Sequence, residues 1–171
     1  MRALILSILI SILFVFQSSF FSHLQFFGTR PDLILGMVVA VAITAGPREG
    51  ALAGLLGGFL ADLLRGNFIG LSIPGKVLVG LAVGFIPKRV YADNFLVPIF
   101  TTFLAVVCDQ LIFLLLGQSF GIGQSVWISM RRFVLLSACY TALLAPIIAK
   151  LVKDLYHEFQ VRGWYKEQRM L

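Results

Sequence analysis

Four charged residues lie within apolar segments of this sequence or close to their ends: Asp32, Asp62, Lys76 and Asp109. A charge inside a lipid-like environment is costly, so such residues face a protein interior or water and usually have partners. An amine and carboxylates in this setting can form an ion pair, carry a proton or bind a polar ligand. Their chemistry therefore depends on which of them meet.

Depth along the segments predicts one pairing. Measured from the outer ends of their segments, Lys76 lies about 12 Å inside and Asp109 about 10 Å inside. We therefore predict an intramembrane ion pair between them. Asp62, nearer the outer surface, then caps a helix or pairs locally, with Arg65 and Lys76 as alternative partners. The Lys76–Asp109 pair either fixes helix packing or forms a proton or substrate site, and both interpretations stay open.

Neither an enzyme active site nor a metal site is predicted. His23 and His157 are isolated at opposite ends of the chain, so a metal site would lack ligands. The serines have no His and Asp partners at a spacing that indicates a catalytic triad. Asp62 and Asp109 alone do not supply the acid cluster with which a phosphatidyl-transfer enzyme holds divalent cations. The residues therefore indicate no active site and no cofactor.

The composition indicates a membrane protein. Hydrophobic residues make up 59% of the 171 residues, charged residues only 13%, and the mean hydropathy is +0.95. A soluble domain contains about 25% charged residues. The net charge of +6 comes from basic residues between apolar runs and in the C-terminal tail, which is typical of orientation in a membrane rather than nucleic-acid binding. The prediction is an all-α polytopic membrane protein.

Charges and turn residues divide the chain into six apolar segments, at about 3–21, 31–46, 47–64, 68–86, 95–116 and 133–149. Pro31 suits a first helical position, with Asp32 in the first turn, and Pro47 opens the third segment. The fourth segment is interrupted by "SIPGK". Segments two and three are short, so a five-span arrangement is the alternative.

The distribution of basic residues favours six spans. With both termini cytoplasmic, nine Lys and Arg residues lie inside and four outside. We expect residues 1–149 to form a six-helix transmembrane domain. Residues 150–171 form a basic amphipathic cytoplasmic tail that lies along the membrane surface.

Small residues recur at four-residue spacing in the stretch "GALAGLLGGFLADLLRG", namely Gly50, Gly54 and Gly58. On a helix they leave one face without side chains, and Asp62 continues the same step. A shorter stripe, Gly80 and Gly84, follows Lys76 at the same spacing. Such faces let another helix approach closely. Either the two stripes pack on each other or one of them faces a separate protein.

The stretches "RPDLILGMVV" and "GALAGLLGGFLADLLRGNFIGL", in a chain of this length and layout, resemble the bacterial rod shape-determining protein MreD family. The specific part of the resemblance runs from Arg30 to Leu71. The family motif maps onto seven residues: Arg30, Pro31, Asp32, Gly50, Gly54, Gly58 and Asp62. No catalytic residues are carried over, and Lys76 is not part of the resemblance.

The resemblance implies a multi-pass protein of the bacterial cytoplasmic (inner) membrane. It implies a non-enzymatic component of the elongasome that helps to maintain rod shape by organising lateral peptidoglycan synthesis. The expected direct partner is MreC, with MreB, RodA and its transpeptidase reached indirectly. The glycine face is a candidate surface for MreC, and the tail for the filament or membrane lipids. The expected fold is a six-helix bundle resembling the S-component of energy-coupling-factor transporters.

The alternative function is an S-component-like transporter subunit that binds a small molecule. It would use Asp62, Lys76 and Asp109 around a polar pocket. Aromatic residues with a polar group are scarce in the segments, where Tyr140 is the one tyrosine near the middle of a span. This scarcity disfavours the transporter.

Overall fold

The computed structural model describes residues 31–65, 70–87, 96–119 and 134–154, and its regular structure there is entirely helical. The five helices are α1 (Leu33–Ala45), α2 (Pro47–Arg65), α3 (Ile73–Gly84), α4 (Leu96–Ser119) and α5 (Val134–Asp154). The predicted all-α class is confirmed within these ranges. The first predicted segment, Arg30 and residues 155–171 of the tail lie outside the described residues.

Helix α1 begins two residues later than predicted. Asp32 has a non-helical backbone (φ −88°, ψ 80°), and its side chain accepts a hydrogen bond from the N–H of Leu35 at 2.9 Å. Asp32 is therefore the N-cap rather than a first-turn residue, and Pro31 precedes the helix. At the other end Gly46 adopts a positive φ of 104°, and Pro47 starts α2 directly after it.

The stretch "SIPGK" begins α3 and does not interrupt it, which corrects the predicted fourth segment. Residues 70–72 form a turn, and the helix starts at Ile73. Pro74 is the second residue of the helix, where its missing N–H leaves no intrahelical hydrogen bond unmade. The helix is consequently only 12 residues long.

Helix α1 lies at the centre of the described helices. Every residue from 33 to 42 is buried. Gly57 of α2 packs on Ile34, and Gly50 packs on Ala42, so α1 and α2 are antiparallel. Gly50 also packs on Gly80, and Gly58 on Ile73, so α3 is antiparallel to α2 and parallel to α1. Ile148 of α5 and the small residues of α4 complete the core around α1.

The outer surface of the helices is apolar. Large hydrophobic side chains are exposed on every described helix except α1, among them Leu55, Leu78, Leu104 and Leu143. Helices α4 and α5 are long and apolar enough to cross a membrane, yet only 22% and 28% of their apolar windows are buried. The core helix of a soluble protein would be mostly buried. Apolar side chains outside and charged ones inside therefore fit embedding in a membrane.

Helices α1 and α3 are too short to cross the membrane alone. They measure about 20 Å and 18 Å, against a hydrocarbon core of about 30 Å. Helix α4, with 24 residues, measures about 36 Å. The short helices therefore run alongside only part of α4. Their N-termini meet α4 near its middle.

Candidate functional site

Three charged side chains meet where the N-termini of α1 and α3 approach α4. The Nζ atom of Lys76, whose residue is fully buried, lies 2.8 Å from Oδ2 of Asp32 and 3.0 Å from Oδ2 of Asp109. Both carboxylates are also buried. We refer to these three residues as the charged centre. The structure thus brings Lys76 and Asp109 together and adds a second carboxylate to the lysine.

Asp32 connects the charged centre to two further groups. Its Oδ1 caps α1, while its Oδ2 accepts from Lys76. Its backbone N–H donates to Oγ1 of Thr141 on α5 at 3.0 Å, and that hydroxyl donates to the carbonyl of Ser137 at 2.8 Å. Hydroxyls in helices commonly bond to the preceding turn in this way. Helices α1, α3, α4 and α5 are therefore joined by polar contacts at one level.

Glycines make room for the charged centre on two sides. A Cβ atom on Gly75 would lie 2.5 Å from Oδ1 of Asp109, so only a residue without a side chain leaves space for this carboxylate. On the opposite face of α3, Gly54 of α2 packs directly on the carbonyl group of Lys76. The lysine is thereby fixed through its backbone as well as through its ammonium group.

Asp62 forms hydrogen bonds that stabilise the connection between α2 and α3. Its Oδ2 accepts from the N–H of Gly70 at 2.8 Å, and both carboxylate oxygens lie 3.1 Å from the N–H of Ser72. Gly70 has a positive φ of 110°, which favours glycine. Asp62 therefore caps backbone N–H groups of the neighbouring turn, which is one of the alternatives that the sequence predicts. The Arg65 side chain lies outside the described residues.

The two glycine stripes pack on each other. Gly50 meets Gly80, Gly54 meets Lys76, Gly58 meets Ile73 and Gly84 meets Pro47, in each case through backbone atoms. A Cβ on Gly58, for instance, would lie 2.6 Å from the Cα of Ile73. Because α3 of the same chain covers the stripe on α2, this face is not open to a separate protein. The suggestion that it is the docking surface for a partner is therefore wrong.

The charged centre can act as an electrostatic link between helices. Removal of one member of a buried ion pair costs about 3–5 kcal/mol, because the remaining charge is left buried without compensation. Within the described ranges no group of three or more His, Cys, Asp or Glu residues could hold a metal ion. The chemistry that the geometry supports here is charge pairing between helices.

Two members of this region, Gly75 and Thr141, are not predicted from the sequence, and Asp32 is predicted without its contact to Lys76. The sequence places Asp32 among the intramembrane charges and in the first turn of α1, but it does not indicate which cation its second carboxylate oxygen binds. Gly75 lies outside both stripes and is missed for that reason, yet its position directly before Lys76 is an available signal. For Thr141, nothing in the sequence beyond a hydroxyl within an apolar segment indicates its contact with Asp32.

Comparison with known protein families identifies the family to which the chain belongs. A family model described as rod shape-determining protein MreD matches residues 1–155, which include every described helix. The chain belongs to the MreD family. The resemblance drawn from the "RPD" stretch and the glycine helix is thereby confirmed. No curated protein and no solved structure matches the chain.

Family membership gives this MreD-family chain a role in rod shape determination and a place in a membrane. That family is a shape-determining structural protein family that is not known as enzymatic. The charged centre and the glycine contacts all lie within the matched region. The apolar outer surface agrees with the membrane location that the family implies.

Proposed function

We propose that this MreD-family chain is a non-enzymatic component of the elongasome that binds MreC in the inner membrane. Through MreC it acts indirectly with MreB, RodA and its transpeptidase, and so helps to organise lateral peptidoglycan synthesis. The observation that carries the proposal is the family match over residues 1–155. The apolar outer surface supports it, because a membrane partner would bind there.

The MreC contact belongs on an outer helix face. The glycine stripes are occupied within the chain, whereas α4 presents a continuous row of exposed apolar side chains: Leu96, Phe100, Leu104, Leu111 and Leu115. Helix association in lipid depends on close packing and hydrogen bonds rather than on burial from water. A long regular helix such as α4 offers a partner helix an extended surface for such packing.

The proposed topology has six spans, both termini in the cytoplasm and an arrangement similar to that of S-components. Helix α5 runs parallel to α1, since Thr141 meets Asp32 and Ile148 packs on Gly36. Three exposed basic residues consequently lie at the Ala45 end of the bundle: Arg48, Lys150 and Lys153. Basic residues mark the cytoplasmic side of membrane proteins.

Reporter fusions test the topology. A fluorescent protein that matures only in the cytoplasm is expected to fluoresce when it is fused to either terminus. A periplasmic phosphatase fused at the same positions is expected to be inactive. Phosphatase activity at one terminus alone indicates an odd number of spans and rejects the six-span arrangement.

Photo-crosslinking in native membranes tests the MreC proposal. A photoreactive residue replaces Leu104 on the outer face of α4, Leu143 on α5 or Leu55 on α2, and the buried Val106 position serves as the matched control on α4. We expect crosslinks to MreC from one outer face and none from position 106. If no outer position crosslinks to MreC while the variants still support rod shape, direct binding is rejected. Capture of a transporter ATPase module instead favours the small-molecule alternative.

A further inference from the structure

Helices α1, α2 and α3 form a closely packed group that we call the α1–α3 unit. Gly50, Gly54 and Gly58 meet backbone atoms of α3. Gly57 packs on α1 so closely that a Cβ atom there would lie 2.7 Å from Cγ2 of Ile34. Side chains in contact can change rotamer to let two helices move, but backbone atoms in contact cannot. The unit therefore behaves as one body.

Helix α4 joins this unit in a different way. Its buried residues on the inner face are small, Ala105 and Val106, and they pack with side chains of α1 and α3. One helical turn further, Asp109 reaches Lys76. Helix α4 is thus held by side-chain contacts and by a charge, rather than by the interlocked backbones that join α2 to α3.

The two carboxylates that form ion pairs with Lys76 belong to different bodies. Asp32 is part of the α1–α3 unit, and Asp109 is part of α4. The Asp32 carboxylate lies 2.8 Å from the ammonium group, so the lysine charge keeps a counter-charge if α4 moves away. A lysine with a single carboxylate partner on α4 would lack this property.

We propose that the Lys76–Asp109 contact is a releasable latch between α4 and the α1–α3 unit. The Lys76–Asp32 contact retains the lysine charge when the latch opens. The closed form predominates in the native protein, because separating two opposite charges inside a membrane protein is costly. This conformational property does not depend on MreC binding, and its test requires no partner.

The native cysteines allow a direct test. Cys108 on α4 and Cys139 on α5 are both exposed, so spin labels can be attached to the full chain in lipid vesicles without further engineering. Helix α5 reports on the α1–α3 unit, since Thr141 binds Asp32 and Ile148 packs on Gly36. The Cys108–Cys139 distance distribution is then measured by pulsed electron paramagnetic resonance.

We expect one short-distance population in the native protein and an added longer-distance population in Asp109→Asn. Asp109→Glu retains the charge and is expected to restore the native distribution. A second labelled pair, Leu78→Cys with Cys139 in a Cys108→Ser background, measures α3 against α5. This control distance is expected to stay the same in all variants.

Gly75→Ala provides an independent opening of the latch. It leaves every charge in place, but its Cβ would lie 2.5 Å from Oδ1 of Asp109 and displace that carboxylate. We expect this variant to show the longer Cys108–Cys139 population as well.

Two results overturn the proposal. If folded Asp109→Asn keeps the native Cys108–Cys139 distribution, the ion pair is not what holds α4. If Asp109→Asn unfolds, or if the Leu78–Cys139 distance changes with it, the helices form a single body and the contact is purely structural.

Discussion

Helix α3 is held on its two sides by opposite means. Towards α2 it meets glycines, and backbone atoms touch without any intervening side chain. Towards α4 it extends Lys76 to a carboxylate 3.0 Å away. The first contact depends on the absence of side-chain atoms, and the second depends on the presence of particular ones. In lipid both means are available, because burial from water no longer drives helix association.

The two contacts differ in what breaks them. A glycine contact fails when any atom is added, whatever its polarity, since a backbone neighbour cannot give way. An ion pair tolerates small changes of shape but fails when one charge is removed, because the other is left buried. Substitutions at four positions test this difference, and we expect the loss of stability to decrease from Gly54 through Lys76 and Asp62 to Gly36.

Gly54→Leu is expected to abolish folding. Its Cβ alone would overlap the carbonyl group of Lys76, so the cost exceeds the roughly 1–3 kcal/mol of ordinary overpacking. The measurement is the yield of monodisperse protein in detergent and its thermal unfolding by circular dichroism. Leu55→Ala, one position on and exposed, is the control and is expected to behave like the native protein. Native yield and stability for Gly54→Leu would show that α2 and α3 do not touch as described.

Lys76→Met is expected to destabilise the protein by about 3–5 kcal/mol, because both Asp32 and Asp109 lose their ammonium partner inside the bundle. Chemical or thermal unfolding in detergent measures the loss of free energy of unfolding. Leu78→Met, on the exposed face of the same helix, controls for the side chain introduced. Equal stabilities of the two variants would contradict a stabilising role for the charged centre.

Asp62→Ala is expected to cost about 1–3 kcal/mol, since the N–H groups of Gly70 and Ser72 lose their acceptor. Asp62→Asn retains one acceptor oxygen and should fall between Asp62→Ala and the native protein. Both values come from the same unfolding measurement. A larger loss for Asp62→Ala than for Lys76→Met would reverse the proposed ranking of local cap and charged centre.

Gly36→Ala is expected to change the stability by less than about 1 kcal/mol. Its Cβ would lie 3.1 Å from Cδ1 of Ile148, the flexible end of a side chain that can rotate away at a small cost in stability. The higher helix propensity of alanine relative to glycine offsets a cost of that size. Gly54→Ala makes the same substitution against a backbone carbonyl and should be far more damaging. Similar unfolding temperatures for the two alanine variants would remove the distinction between side-chain and backbone neighbours.

Much of the local structure could be predicted from the sequence. Pro47 and the glycine spacing located α2, and depth along the segments brought Lys76 and Asp109 to the same level. Both predictions use only positions along the chain, namely a four-residue spacing and a distance along a helix axis. The second partner of Lys76 required knowledge that α1 and α3 are parallel neighbours, so that both N-termini meet α4. The helix that covers the glycine face of α2 could not be predicted either, because a four-residue spacing identifies the face but not the helix that packs on it.

The enclosure of α1 bears on how the chain enters the membrane. Helix α1 is 13 residues long, and its residues from 33 to 42 are buried by other helices. A segment of about 20 Å is too short to be held stably across the bilayer on its own. We expect α1 to leave the translocon together with α2 as a hairpin, with Gly46 and Pro47 as its turn. The carboxylate of Asp32 then enters the membrane before α3, synthesised later, supplies the ammonium group of Lys76.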